Sequence, residues 1–394
     1  MNTHEKYMRL ALENARSAKG QTEPNPLVGS VIVNNGRIVG IGAHLKPGEP
    51  HAEIHALRMA GEHAQGATIY VTLEPCSHHG RTGPCAEAIV KAGIRRVVIA
   101  ALDPNPLVSG RGVQILKDAG IEVIVGVCEQ ESIRMNEVFN QYIVSKRPFI
   151  TIKSAVTLDG KIATRTSESK WITSEAARED VHRLRHEHVG ILVGVQTVIH
   201  DNPQLTTRLP EGRNPIRIIL DSKLRIPLDA RVITDGEAPT WIFTGRVYDE
   251  GKRSQLEQLG VKVYPTQDEY SERVNLPQML DILGAAEVSS VFVEGGAEVN
   301  ASFVQQGLAD KLVLYMAPKL VGGRVAPGFL GGEGVSAMSD AVALQDLSVT
   351  QVGVDWKIEG YFEKKMSELF LGREGRSAKG LIFRSLLQWD SSIV

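Results

Sequence analysis

The sequence is short of four things. Cysteine occurs three times in 394 residues, too seldom for a disulfide framework. No apolar run approaches the ~18 residues that cross a bilayer. Met1–Gly20 is interrupted by Glu5, Lys6, Arg9, Glu13, Arg16 and Lys19, so no apolar signal-peptide core is expected there. Basic charge is not in excess: 44 Lys plus Arg stand against 46 Asp plus Glu, whereas proteins that live on nucleic acid or anionic membranes usually carry a surplus of cations. Aromatics make up 5%, poor material for stacking bases. The remainder, 42% apolar and 23% charged, is ordinary for a soluble globular protein and excludes wholesale disorder. The length suits two or three domains. A cytoplasmic protein is expected, homo-oligomeric, with no nucleic-acid or membrane partner.

Residues 7–18 place Tyr7, Leu10, Ala11, Asn14, Ala15 and Ala18 on one helical stripe. Val28–Val33 and Ile38–Gly42 flank Asn34-Asn35-Gly36, a hairpin signal. Helices at 52–60, 86–92 and 111–119 then alternate with strands at 68–73, 97–101 and 121–127, which argues for a mostly parallel sheet covered by helices. A helix over 129–146 and the run Lys146-Arg147-Pro148 mark a boundary. The pattern restarts at Phe149, with a helix at 174–188 and strands at 190–194, 216–220, 240–244, 260–264, 290–293 and 311–316. Two α/β domains are expected, 1–146 and 147–362, with an atypical tail over 363–394 in which Arg376–Gly380 repeats Arg16–Gly20.

Three features converge in the first half. His51-Ala52-Glu53 opens a helix, Pro75-Cys76 follows a strand, and Pro84-Cys85 opens the next helix. One imidazole and two thiolates suit zinc and leave a fourth position for water. Zinc lowers the pKa of that water, and a nearby carboxylate, here Glu53, can carry its proton. The order matches the zinc deaminase signature, but eight residues separate Cys76 from Cys85 where the general pattern has two. Cys85, at a helix N-terminus, is expected to favour the thiolate. A structural zinc, completed by His55, His78 or His79, is the alternative, and it leaves Glu53 without a role. His182, His186 and His188 read as part of a solvated, charged helix face.

Through these and neighbouring residues the chain resembles a known family. Pro24-Asn25-Pro26-Leu27-Val28-Gly29, His51-Ala52-Glu53 and the run Glu74–Cys85 look like the bifunctional deaminase/reductase of riboflavin biosynthesis, whose Cys–Cys loop is long. The resemblance spans about residues 4–362. It implies a cytidine-deaminase-like three-layer domain followed by a dihydrofolate-reductase-like α/β domain, and a phosphorylated pyrimidine as substrate. It assigns zinc to His51, Cys76 and Cys85 and proton transfer to Glu53. Asn25 and the His78–Thr82 loop then hold the base and phosphate, with Arg81 as the loop's charged residue. The rivals are a deaminase acting on nucleic acid or nucleotides with an accessory binding domain, and a zinc-stabilised scaffold.

In the second half, Lys153–Lys161, Gly194–Val198, Asp201–Arg208 and Val291–Ala297 are similar to the reductase of the same family. The paired glycines Gly295-Gly296 end a strand before a helix, where backbone N–H groups can approach a pyrophosphate; the ordinary dinucleotide fingerprint is absent. The resemblance implies NADPH at Ala155, Trp171, Thr197, Asp201, Ser222 and the turn Gly296, Ala297, Glu298, Val299, Asn300, Ala301 and Ser302. It implies substrate at Lys153, Ser169, Arg185, Leu205, Arg208 and Glu294. Guanidinium forks suit a phosphomonoester, and Lys153 and Asp201 are candidates for handling the proton. Asp221 closes a strand and is expected to turn away from the ribose. Ser222 with Lys223 or Arg225 would then take the cofactor's 2′-phosphate, and Arg246 is the next candidate.

Overall fold

The computed structural model describes residues 2–77, 83–105, 108–268 and 271–363. Its first sheet is built from β1 (Gly29–Asn34), β2 (Arg37–Ala43), β3 (Thr68–Leu73), β4 (Arg96–Ala101) and β5 (Glu122–Val125), in the order β2-β1-β3-β4-β5. The β1–β2 hairpin turns through Asn35 and Gly36, both at positive φ (48° and 76°), a conformation that Asn-Gly adopts at little cost. This hairpin makes the sheet mixed rather than mostly parallel: β1 is antiparallel to β2 and β3, and only β3, β4 and β5 run parallel.

Alternation along the strands sends side chains to two cores. Val31, Tyr70 and Val98 meet Met8, Ala11 and Leu12 of the helix Thr3–Arg16. Ile32, Ile69, Val71, Val97 and Ile99 meet Ala56, Ile89 and Leu116 from the helices Ala52–Ala60, Cys85–Lys91 and Arg111–Asp118. The sheet is thus the middle of three layers. The helix Ala52–Ala60 lies so close to β2 that a Cβ on Gly42 would stand 2.1 Å from the Ala52 carbonyl oxygen. That contact seats the helix end that carries His51.

The expected helix over 129–146 is two helices, Glu129–Met135 and Glu137–Ser145. They break at Asn136, whose buried amide is committed to the backbone of Leu27: Oδ1 accepts from its N–H at 2.8 Å and Nδ2 donates to its carbonyl at 3.0 Å. A tertiary bond overrides the local helical pattern.

The second sheet has nine strands: β6 (Phe149–Thr157), β7 (Gly190–Gly194), β8 (Ile216–Leu220), β9 (Thr240–Thr244), β10 (Lys262–Pro265), β11 (Ser290–Val293), β12 (Lys311–Ala317), β13 (Leu344–Val352) and β14 (Asp355–Phe362). Their order is β10-β9-β8-β7-β11-β6-β12-β14-β13. All pairings from β10 to β12 are parallel, and β14 and β13 close the edge as an antiparallel hairpin. The residues 364–394 of the expected tail lie outside the described residues.

A polar seam joins the two sheets. Gln141 Nε2 donates to Asp310 Oδ2 at 3.0 Å, Tyr142 donates to the Gly284 carbonyl at 2.9 Å, and Lys311 pairs with Glu137 at 3.1 Å. Lys19 pairs with Glu187 at 2.8 Å, and the Ser289 hydroxyl donates to Glu23. Burial raises the Glu23 carboxyl, and the Ser289 bond offsets part of that effect.

Candidate metal centre and reductase cleft

The strands β3 and β4 are parallel, so the segments that follow them emerge side by side at one sheet edge. Cys76 lies three residues beyond β3, Cys85 is the first residue of its helix, and His51 is the N-cap of the helix Ala52–Ala60. His51 Nδ1 stands 3.5 Å from Cys76 Sγ and 3.3 Å from Cys85 Sγ. One ligand atom from each residue falls within 4.8 Å of the others. An imidazole and two thiols converging at this spacing are the donor set of a zinc site with an open fourth position.

The backbone N–H of Cys85 donates to Cys76 Sγ at 3.3 Å. Hydrogen bonds from the Cys85 thiol, from His51 and from the Cys85 N–H hold the Cys76 thiol below its ordinary value. The first N–H of this helix thus supports negative charge on the Cys76 sulfur as well.

Glu53 is 3% exposed. Burial raises its carboxyl to about 7, and its Oε2 has no hydrogen-bond partner among the described residues. A protonatable carboxyl beside the ligands, and not one of them, is equipped to move a proton. Asn25 Nδ2 lies 3.2 Å from His44 Nε2, and the His44 ring stands edge-on to His51 at 5.4 Å. The sequence reading missed His44, because a single histidine just past a strand carries no spacing signal. Arg81 and the rest of His78–Thr82 lie outside the described residues.

In the second half, the resemblance-derived residues gather at the carboxyl ends of β6, β7, β8 and β11, where ligands bind in open α/β sheets. Lys153 and Ala155 lie on β6, and Ser169 and Trp171 lie beyond it. Thr197 is in the helix Val195–Asp201 after β7, Ser222 follows β8, and Gly296 caps the helix Ala297–Gln305 after β11. Glu294 is the hub. Arg185 reaches it from the helix Glu175–Glu187 through Nε at 2.6 Å and Nη2 at 3.2 Å, and Lys153 Nζ reaches it at 3.3 Å. Burial alone would raise the Glu294 carboxyl; Arg185 and then Lys153 outweigh it and hold it at about 2.

Arg185 Nη1 also donates to the Thr206 carbonyl at 3.0 Å, so its fork is spent inside the protein. Arg208 is exposed and Leu205 is buried. Asp201 does not join Lys153; its cation is Lys170, at 4.0 Å. The Trp171 ring, 61% exposed, lies under the Arg178 guanidinium at 4.5 Å, and Lys319 Nζ donates to its carbonyl at 2.7 Å. Asp221 is fully buried, its Oδ2 accepting from the Ile226 N–H at 2.8 Å. Lys223 is paired with Glu272 at 2.9 Å.

The three histidines are not a solvated face. His188 is 7% exposed, with Nε2 3.0 Å from Thr151 Oγ1 and Nδ1 2.7 Å from the Leu184 carbonyl oxygen. His186 Nδ1 accepts from the Arg213 N–H at 2.9 Å, and His182 is half-buried. His188 turns toward the sheet at Thr151, while Arg183 and Glu179 take the solvent side.

The cytidine and deoxycytidylate deaminase zinc-binding region matches residues 1–101, and the RibD C-terminal domain matches residues 148–358. The riboflavin biosynthesis protein RibD of Bacillus amyloliquefaciens is 52% identical over 355 residues, covering 90% of this chain and 95% of that protein. This chain belongs to the RibD family. The RibD of Aquifex aeolicus is 48% identical, over 89% of this chain and 96% of that one. Among solved structures, Acinetobacter baumannii RibD is 39% identical with a TM-score of 0.82, covering 92% of this chain and 99% of its own. A diaminohydroxyphosphoribosylaminopyrimidine deaminase/5-amino-6-(5-phosphoribosylamino)uracil reductase from Thermotoga maritima is 36% identical with a TM-score of 0.77, covering 91% and 98%. The two family matches reach into both sheets, the second ending at residue 358.

Proposed function

We propose that this chain is the bifunctional deaminase and reductase of riboflavin biosynthesis, with the deaminase in residues 1–146 and the reductase in residues 147–362. The reading rests on one observation above the rest: a His-Cys-Cys ligand set with a buried carboxyl, raised to about 7, beside it.

His51, Cys76 and Cys85 would hold the zinc. When bound, the zinc makes a water acidic enough to attack near neutral pH. Glu53 takes a proton from the attacking water and passes it to the amino nitrogen as the carbon–nitrogen bond breaks, so the pyrimidine carbon gains oxygen and ammonia leaves. Asn25 and His44 orient the ring, and Arg81 is assigned to the phosphate.

NADPH, when bound, supplies a hydride for the ribosyl carbon of the ring-opened sugar. Trp171, Ala155, Thr197, Asp201, Ser222 and the helix start Gly296–Ser302 would line its place at the strand ends. Lys153, held by Glu294, delivers the proton that the adjoining nitrogen takes up, and the product is the ribitylamino compound. Arg185 orients Glu294. Arg208 takes the substrate phosphate, with Ser169 and Leu205 beside it.

Two further readings belong here. The ligand thiols favour a reducing compartment, the cytoplasm. The outer edge of β13, with Leu347 and Val349 exposed at 60% and 58%, supports a homo-oligomer, since long bare edges are usually covered.

The test is to supply the diaminopyrimidine ribosylamine phosphate with and without NADPH. Ammonia should be released in both cases, and NADPH should be consumed only after deamination. No ammonia release by zinc-loaded protein would overturn the deaminase reading.

A further inference from the structure

Glu74 has no part in the mechanism above, yet it is 5% exposed and is the residue between the end of β3 and Pro75-Cys76. Its N–H donates to the Ala101 carbonyl at 3.0 Å, extending the β3–β4 ladder by one rung. Its carboxylate then gathers the backbone that follows β4. Oε2 accepts from the N–H groups of Asp103 at 3.3 Å and Gly110 at 2.9 Å. Oε1 accepts from those of Gly112 at 3.0 Å and Val113 at 3.2 Å.

These partners are not incidental. The helix Arg111–Asp118 has Gly110 as its N-cap and no acidic residue in its first turn, so its leading N–H groups have no local side chain to satisfy them. Glu74 supplies the missing acceptor from the segment that follows β3. In return the helix end is pressed onto the ligand segment: a Cβ on Gly112 would stand 2.0 Å from the Pro75 carbonyl oxygen. On its far side Cys76 is fixed by the next helix. Its carbonyl accepts from the Ala86 N–H at 3.2 Å, and its sulfur accepts from the Cys85 N–H at 3.3 Å. Pro75-Cys76 is therefore clamped between two helix N-termini, and Glu74 closes one jaw.

We propose that Glu74 is a positioning residue of the metal centre: by binding four backbone N–H groups of the neighbouring segment, it holds Pro75-Cys76 where the Cys76 sulfur can ligate. The inference rests on the metal-centre reading of His51, Cys76 and Cys85. Glutamine at 74 has the same shape, but its amide NH₂ would face two N–H donors that now point at an acceptor. Outer groups that orient ligands typically govern metal affinity by 10–100-fold when removed.

The experiment compares full-length wild type and Glu74→Gln in zinc competition against a chromophoric chelator, and in the absorption of the Co(II)-loaded proteins. The zinc dissociation constant should rise about 10–100-fold and the thiolate-to-cobalt band should shift, with NADPH oxidation on pre-deaminated substrate unchanged. Gly112→Ala, which pushes on Pro75 from the helix end that Glu74 holds, should move the cobalt band as well. A Glu74→Gln protein that is less stable to heat yet has wild-type zinc affinity and a wild-type cobalt spectrum would show Glu74 to be a helix cap and nothing more. If that variant does not fold, Gly112→Ala decides by the same two readouts, and wild-type values overturn the proposal. Failure of the wild type itself to bind zinc would instead sink the metal-centre reading.

Discussion

At the scale of single residues, the deaminase half asks most of Glu53. Changing it to glutamine keeps the shape and removes the titratable proton. Zinc content should stay at one per chain while ammonia release falls about 10²–10⁴-fold, the usual worth of a general acid–base group. Paired measurements of bound zinc and ammonia decide it, and near-normal release would remove Glu53 from the chemistry. The cofactor's 2′-phosphate is a second case. Lys223 is already matched by Glu272 at 2.9 Å, whereas Arg225 is exposed beside Ser222. Arg225→Ala should lower the NADPH-to-NADH efficiency ratio about 10- to 100-fold, the equivalent of ~1.5–3 kcal/mol for a hydrogen bond to a charged group. Lys223→Ala should change it little. An unaltered ratio in Arg225→Ala would pass the role to Arg246. His51, Glu53, Cys76 and Cys85 were legible because ligand chemistry restricts residue type and order. The bond from the Cys85 N–H to the Cys76 sulfur was not, because it joins groups 9 positions apart that only the fold brings together.

Among elements, the helix Glu175–Glu187 carries a pH signature. Burial pushes the His188 imidazole, at its C-cap, from the ordinary 6.5 to about 4. The unfolded chain therefore binds a proton between those values and the native chain does not. Stability contributed by the neutral ring is complete above pH 6.5 and is lost as pH falls toward 4, to a limit of about 3 kcal/mol. Urea unfolding of His188→Asn at pH 6.5 and 4.5 should show a smaller loss than wild type. Some slope should persist, because burial lowers His182 to about 4 as well. Equal losses in both proteins would refute the assignment. The parallel strands were readable as apolar runs, since both of their faces are covered. The β13–β14 hairpin was not, because exposed Gln345, Asp346, Ser348 and Thr350 break the apolar signal of an edge. The break at Asn136 was equally hidden, its cause lying 109 positions away at Leu27.

For the whole molecule, two sheets with separate cores predict two separable chemistries. Removing zinc with a chelator should abolish ammonia release and leave NADPH oxidation on pre-deaminated substrate intact; a parallel loss of both would show that the metal supports the second fold too. The polar seam sets a different limit, on inheritance. A crossover at Pro148 that joins one relative's first half to another's second half separates Glu23 from Ser289, Gln141 from Asp310 and Glu137 from Lys311. A half-buried mismatch at any of these leaves a polar group without its partner, at about 1–3 kcal/mol apiece. Chimeras should therefore work when the donor carries the same seam residues, however different its surface. Mutations along this line are then constrained in pairs, so the two halves evolve as one lineage.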